Sequence, residues 1–312
     1  MRIERFLLVM LLVGLPSVLL AEFNAAGLRP TSNWYFHTDF NEMRTTEAGR
    51  HLFDWLDGEV FEEVREEIGI DFGKEANQIT ASGSKDKDLI VVIDGDISQA
   101  TQDKVLALAA ASGSMDKLEA GRNSYYFVKE NGEQADGDEA GSRADNYDLD
   151  SFKDGAYFSF AIKNKILVTT SEADMKALLD NKGEIAADRD GTGAMLVLSA
   201  DRSLVQAGLS TSDFEDDIGW DSNIIRNTKQ VALLIADDSG KLAIEAQLLA
   251  AEKAMADSLA SIARGLISLQ IFNDDLDPEI SQFLQNTSVD VDGTTLTVKV
   301  TLDPEAVVAA LD

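Results

Sequence analysis

The sequence has no cysteine, two histidines, four prolines and only 27 basic residues against 56 acidic ones. Without cysteine there are no disulfides, no thiolate metal ligands and no cysteine nucleophile, and the lipid-bearing cysteine of a bacterial lipoprotein is excluded too. Two histidines leave little imidazole chemistry: a Ser-His-Asp triad must use His37 or His51, and no G-x-S-x-G elbow is present. The phosphate cradle G-x-x-x-x-G-K-[ST] is missing, and the run from Asp188 to Gly193 (DRDGTG) lacks both its lysine and a following helix. Ser82-Gly83-Ser84-Lys85 matches S-x-x-K but falls in a hairpin turn, without S-D-N or K-T-G, and reads as chance. The shortage of base gives a net charge of −29. Such a surface repels phosphate backbones and anionic lipid headgroups, so nucleic acid and simple electrostatic docking to membranes are disfavoured.

Long apolar runs are missing after residue 21. Before it, Arg2 and Arg5 precede an apolar stretch from Phe6 to Leu15, and Pro16 leads into SVLLA, ending at Ala21. That is the pattern of a secretory signal peptide, and the apolar stretch is short against the roughly 20 residues of a spanning helix. The alternative is a retained N-terminal anchor. Removal of 1–21 takes away two arginines and one glutamate and leaves a charge of −30. The expectation is a periplasmic or secreted protein with no integral membrane segment in its mature chain, held together by packed cores.

What is present is an echo. LVTTSEADMKALLD ends at Asp180 and KVTLDPEAVVAALD ends at Asp312, sharing Val168/Val300, Thr169/Thr301, Ala177/Ala309, Leu179/Leu311 and Asp180/Asp312. Residues 77–111 can likewise be laid on 229–263, each reading strand, polar turn, strand, helix, and YFHTDFNEM falls opposite LVLSADRSL. The spacing predicts two tandem repeats in an α+β fold of ferredoxin-like flavour, each a largely antiparallel sheet with helices packed on one face. The boundaries follow: a signal peptide at 1–21, a linker at 22–32, repeat 1 at 33–182, a linker at 183–193 and repeat 2 at 194–312. Residues 130–155 carry nine acids and two bases and read as an acidic insertion within repeat 1.

Local signals are clear in three places. Leu52, Leu56, Val60 and Val64 step by four, joined by Phe53 and Phe61, and predict a helix from Thr46 to Ile68 stopped by Gly69. Ser98 is placed to cap another helix. VDVDGTTLTVKV (289–300) alternates on both sides of an Asp-Gly turn and predicts a hairpin.

For chemistry, His37 and Asp39 sit two apart on a predicted strand and share a face, with His51 on the following helix; the three are candidate ligands for a divalent metal. The competing reading is a satisfied, partly buried histidine, because the repeat sets His37 opposite Leu198. Asp145, Asp148 and Asp150 offer clustered oxygens for weak calcium binding, although no EF-hand pattern continues from them. No other cofactor is expected. Seven aromatics gather in NWYFHTDF (33–40) and NSYYFVKE (123–130), to be read as core, or as a sheet face for an apolar ligand or a partner's strand.

Together these point to an exported, non-enzymatic binding or structural protein of the bacterial cell envelope, acting on a protein or small apolar ligand through the surface between its repeats. The alternatives are an envelope hydrolase using acidic residues, which nothing in the sequence singles out, and a weak calcium-dependent interaction protein.

Overall fold

A computed structural model describes residues 32–84, 88–130, 155–185, 193–203, 228–271 and 283–311. The signal peptide (1–21) and nearly all of the acidic insertion (130–155) lie outside them. Among the described residues the fold is α+β, with twelve strands in one antiparallel sheet. The strands are β1 (Trp34–Asp39), β2 (Ala76–Gly83), β3 (Leu89–Gly95), β4 (Gly113–Ala120), β5 (Asn123–Glu130), β6 (Ala156–Ser159), β7 (Lys165–Thr169), β8 (Ala194–Asp201), β9 (Thr228–Asp238), β10 (Lys241–Ala250), β11 (Ser288–Asp292) and β12 (Thr295–Leu302). Their order across the sheet is β11-β12-β10-β9-β8-β1-β2-β3-β7-β6-β5-β4. A sheet for each half was expected, and that is corrected. Strand β1 hydrogen-bonds to β8 with Phe36 opposite Leu198 and His37 opposite Val197, so one sheet runs through both halves.

The helices are α1 (Phe40–Thr45), α2 (Glu47–Leu56), α3 (Glu62–Ile68), α4 (Phe72–Glu75), α5 (Gln99–Ser112), α6 (Glu172–Asp180), α7 (Lys253–Ile271) and α8 (Pro304–Leu311). The expected helix from Thr46 to Ile68 is there as α2 and α3, joined by a π-helical turn at Asp57–Phe61 and stopped at Gly69 with φ +67°. The π turn explains why the step of four fails halfway. Its extra residue rotates the helix face, so Val60 is 43% exposed while Phe61 is buried against Phe40. Ser98 caps α5, accepting from the Thr101 amide, and the Glu75 carboxylate accepts from the Ser98 amide and hydroxyl.

Turn chemistry sets the hairpins. β9 and β10 are joined by Ser239 and Gly240, both at positive φ, as a type I′ turn demands. β11 and β12 turn through Gly293 and Thr294, one residue later than the Asp-Gly step suggested, with Gly293 at φ +56° in the first central position. Both edge strands carry charge, Asp116, Lys117 and Glu119 on β4 and Asp290 and Asp292 on β11, which discourages edge-to-edge pairing.

Directly opposed residues of antiparallel strands point to the same face. Phe36, Leu198, Leu233, Ile235 and Ile244 therefore share the face on which α1, α2 and α8 lay Phe40, Met43, Leu52, Trp55 and Leu311. Helix α7 covers the same face through Leu259 and Ala260, packed on Val289 and Leu296. Helix α6 does not. Its Met175, Leu178 and Leu179 pack on Ile90, Val92 and Leu167, and the register sets Val92 beside Thr80 and Thr80 beside His37, on the opposite face. The expectation of helices on one face is thus corrected. Leu179 and Leu311, the two echoing leucines, are both buried, but on opposite sides of the sheet.

Strand β3 ends at a close approach. A β-carbon on Gly95 would collide with the Glu75 carbonyl oxygen and lie 2.9 Å from the Ala76 Cα, whereas nothing lies within 4 Å of one on Gly58 in the π turn. Gly95→Ala is expected to cost about 1–3 kcal/mol, and Gly58→Ala to gain up to about 1 kcal/mol. Urea midpoints check both, and a wild-type midpoint for Gly95→Ala would mean the backbones are not in contact there.

Candidate functional site

The first candidates are His37, Asp39 and His51. His37 is buried on β1, its Nδ1 2.8 Å from the Thr80 hydroxyl and its ring stacked on Tyr35 at 6.5 Å. It shares a face with Val197, directly across from it, and Leu198 points the other way. Asp39 is the N-cap of α1, accepting from the Glu42 amide at 2.9 Å and from Gln78 Nε2 at 2.7 Å. His51 is exposed on α2. Among the described residues no three histidine or carboxylate side chains come together as a metal ion needs. Asp145, Asp148 and Asp150 lie outside the described residues.

The aromatic strands mostly face inward. Tyr35, Phe40 and Tyr125 are buried; Tyr126 stacks on Phe158 at 5.1 Å, and Phe127 meets Tyr157 at 4.7 Å. Tyr125 donates to Glu172 Oε1 at 2.6 Å, which ties α6 to β5.

Two polar constellations emerge that the sequence did not single out. One is a row across the sheet, each residue directly opposite the next: Thr80, His37, Val197, Leu234, Glu245, Lys299 and Ser288. Glu245, Gln247 and Lys299 are all buried, and Gln247 Nε2 donates to Glu245 Oε1 at 2.6 Å. Among the described residues the Lys299 amine has no hydrogen-bond partner. Burial pushes the Glu245 carboxyl above its ordinary value, only partly offset by Gln247 and Lys299. Burial pushes the Lys299 amine down, against the pull of Glu245, Asp238 and Asp290. Alternation along a strand signals such residues only as polar positions on one face. Their meeting is set by pairing between β10 and β12, which the sequence does not spell out.

The other is an open depression of about 730 Å3 lined by Asn41, Arg44, Phe53, Asp57, Arg65, Gly73, Lys74 and Asn77. Arg44 lies over the Phe53 ring at 5.2 Å. It donates to the Gly73 carbonyl at 2.8 Å, Asn41 Oδ1 at 2.9 Å, the Ala76 carbonyl at 3.1 Å and Asn77 Oδ1 at 2.9 Å. Arg65 grips Asp57 at 2.7 and 3.2 Å and Asp71 at 3.2 Å, and Lys74 reaches Asp71 at 2.7 Å. The hydrogen bond to Asp57 holds the Arg65 guanidinium further above its ordinary value, and Lys74 and Arg65 hold the Asp71 carboxyl below its own. Nothing in the sequence sets these three cations apart, because the stretch from Arg44 to Lys74 also holds Arg50 and nine acidic residues. Only the turn at Asp71 and the π turn bring them together.

No known family model matches the chain, and no curated protein matches it in sequence. Solved structures resemble it over most of their length. Crystal form IV of TP0453 is 8% identical, covers 92% of this chain and 95% of its own, and has a TM-score of 0.47. Crystal form III is 9% identical, with coverage of 93% and 98% and a TM-score of 0.45. Crystal form I is 10% identical, with coverage of 93% and 97% and a TM-score of 0.44. Likeness at this level transfers no residue and no role to this chain.

Proposed function

We propose that the chain is a tandem duplication and an exported, non-enzymatic binding or structural protein of the bacterial cell envelope, periplasmic or secreted. The strand order supports the duplication. Read outward from the central β1–β8 pair, one side runs β1-β2-β3-β7-β6 and the other β8-β9-β10-β12-β11, with β5 and β4 added on the first side alone. The registers agree as well: Ile90 lies opposite Thr169, and Ala243 opposite Thr301. On this reading repeat 1 spans 33–182, repeat 2 spans 194–312, and the insertion at 130–155 enters between β5 and β6.

The observation that carries the binding reading is where the polar groups meet. The buried set at Glu245 and Lys299 is closed to solvent, so it offers a substrate nothing to react with. The open set around Arg44 presents guanidinium, ammonium and amide donors, and the one carboxylate lining it, Asp57, is gripped through both oxygens by Arg65, an arrangement that favours recognising a ligand over attacking one. An envelope hydrolase working through carboxylates is the rival. The purified protein is expected to turn over none of a panel of esterase, glycosidase, peptidase and phosphatase substrates. Turnover abolished by a single carboxylate substitution overturns the reading.

A further inference from the structure

We propose that the depression around Arg44 binds a small organic monoanion, a carboxylate carrying a short apolar group. This rests on the binding reading above, and it names the site and the chemistry of the ligand.

The starting point is charge. The chain as a whole carries −29, yet this depression reverses the sign. Arg44, Arg65 and Lys74 line it with Asp57, and Asp71 stands behind them in contact with Arg65 and Lys74, so three cations face two carboxylates. The surplus positive charge sits on Arg44. Each of its four acceptors is a neutral amide or carbonyl oxygen, whereas Arg65 and Lys74 both have carboxylate partners. Three of the contacts share the two hydrogens of Nη2 and one uses Nη1, so the Nε–H and the second Nη1–H remain to donate to an incoming carboxylate.

Preorganisation is the second element. Arg44 is pinned between Asn41 on α1, Gly73 on α4, Ala76 and Asn77 at the start of β2, and the Phe53 ring on α2. The rotamer entropy a flexible arginine loses on binding has been lost already in folding. Lys74 differs. Its side chain is 82% exposed, so it can swing from Asp71 towards a ligand. Phe53, itself packed on Phe40 and Phe61 at 6.2 Å, forms the apolar wall. The volume of about 730 Å3 lies in the range of small-molecule sites.

The charge also fixes the class. One unit of surplus matches one carboxylate, and the field of so acidic a protein opposes dianions and polyanions. Phosphate is therefore expected to bind less well than a monocarboxylate, and a basic or neutral analogue not at all.

The test uses the isotopically labelled protein and side-chain amide signals of Asn41 and Asn77 in NMR titrations. Benzoate is the probe, with benzyl alcohol, benzylamine and inorganic phosphate beside it. Saturable shifts with benzoate, absent with benzyl alcohol and benzylamine and weaker with phosphate, are expected. Arg44→Gln should weaken benzoate roughly tenfold or more. Because that change also removes contacts between α1 and β2, Lys74→Ala is the second variant, expected to weaken benzoate about threefold without lowering the melting temperature. The proposal is overturned if benzoate gives no saturable shift, if benzyl alcohol does equally well, or if Lys74→Ala leaves benzoate unchanged. Failure here leaves the substrate panel untouched, and turnover in the panel leaves this titration untouched, so the two readings fall separately.

Discussion

Leu179→Ala is expected to lower the unfolding free energy by about 2–5 kcal/mol, the usual cost of truncating a buried leucine with its cavity left behind. Leu179 is 3% exposed and packs with Met175 and Leu178 on Ile90, Val92 and Leu167. Helix α6 has nine residues, too few to stand alone, so this contact and the Tyr125–Glu172 hydrogen bond hold it to the sheet. The hydroxyl of Ser171, its N-cap, accepts from the Asp174 amide at a long 3.5 Å, and that cap adds little. Lys176→Ala is the control. Its amine pairs with Glu172 four residues back on the solvent side, and a wild-type melting curve is expected. Leu311→Ala should cost less than Leu179→Ala. Leu311 is 9% exposed against 3% for Leu179, so its truncation removes fewer buried contacts. Urea titrations of the three variants check this. A wild-type midpoint for Leu179→Ala would mean that α6 is not docked, and the equivalence of the two closing helices would lose its anchor.

That comparison also shows how far the sequence reached. The helix ending at Gly69, the cap at Ser98 and the hairpin at 289–300 were legible because each depends on residues within one or two turns of chain. The α+β class followed from the same local patterns. The pairing of β1 with β8 was not legible: His37 and Val197 are 160 positions apart, and alternation along a strand gives a face but no partner. Nor was the π turn. The step Leu52, Leu56, Val60, Val64 is regular, and only the packing of Phe61 on Phe40 and Phe53 selects an extra residue in that turn. The closing helices α6 and α8 show a third limit. Similar sequences enter them from similar strands, yet one packs on the face of the sheet that carries His37 and the other on the face that carries Phe36.

The candidate sites followed the same division. His37 and Asp39 were visible because histidine is scarce and their spacing is short. Arg44 does not stand out in the sequence, because a basic residue at the end of a short helix has an ordinary role there, favourable to the helix dipole. What sets Arg44 apart, neutral acceptors in place of a counter-ion, lies in residues 29 to 33 positions away.

Lys299→Met is expected to stabilise the protein by about 1–3 kcal/mol, because a buried donor left without a partner costs that much. Lys299 is 2% exposed and its amine makes no hydrogen bond among the described residues; Glu245 lies directly across from it on β10 but bonds to Gln247 instead. Methionine keeps an unbranched chain one atom shorter, ending where the lysine Cε lies, and removes the charged amine. The pH dependence gives an independent check. Burial sets the folded pKa of Lys299 below its ordinary 10.5, so between the two values the unfolded chain binds more protons. Stability of the wild type therefore rises with pH through that window, and the methionine variant lacks the rise. Glu245 works the other way. Its folded pKa is raised above 4.5, so the native state holds the extra proton, and stability falls as pH rises from 4.5 through the raised value. Glu245→Gln should remove that fall. Urea midpoints for the wild type and both variants, taken from pH 4 to 11, separate the contributions. If Lys299→Met is less stable than the wild type at every pH, the ammonium is satisfied in solution by Glu245, Asp238 or Asp290, and the buried row works as an ion pair whose loss strands a carboxylate.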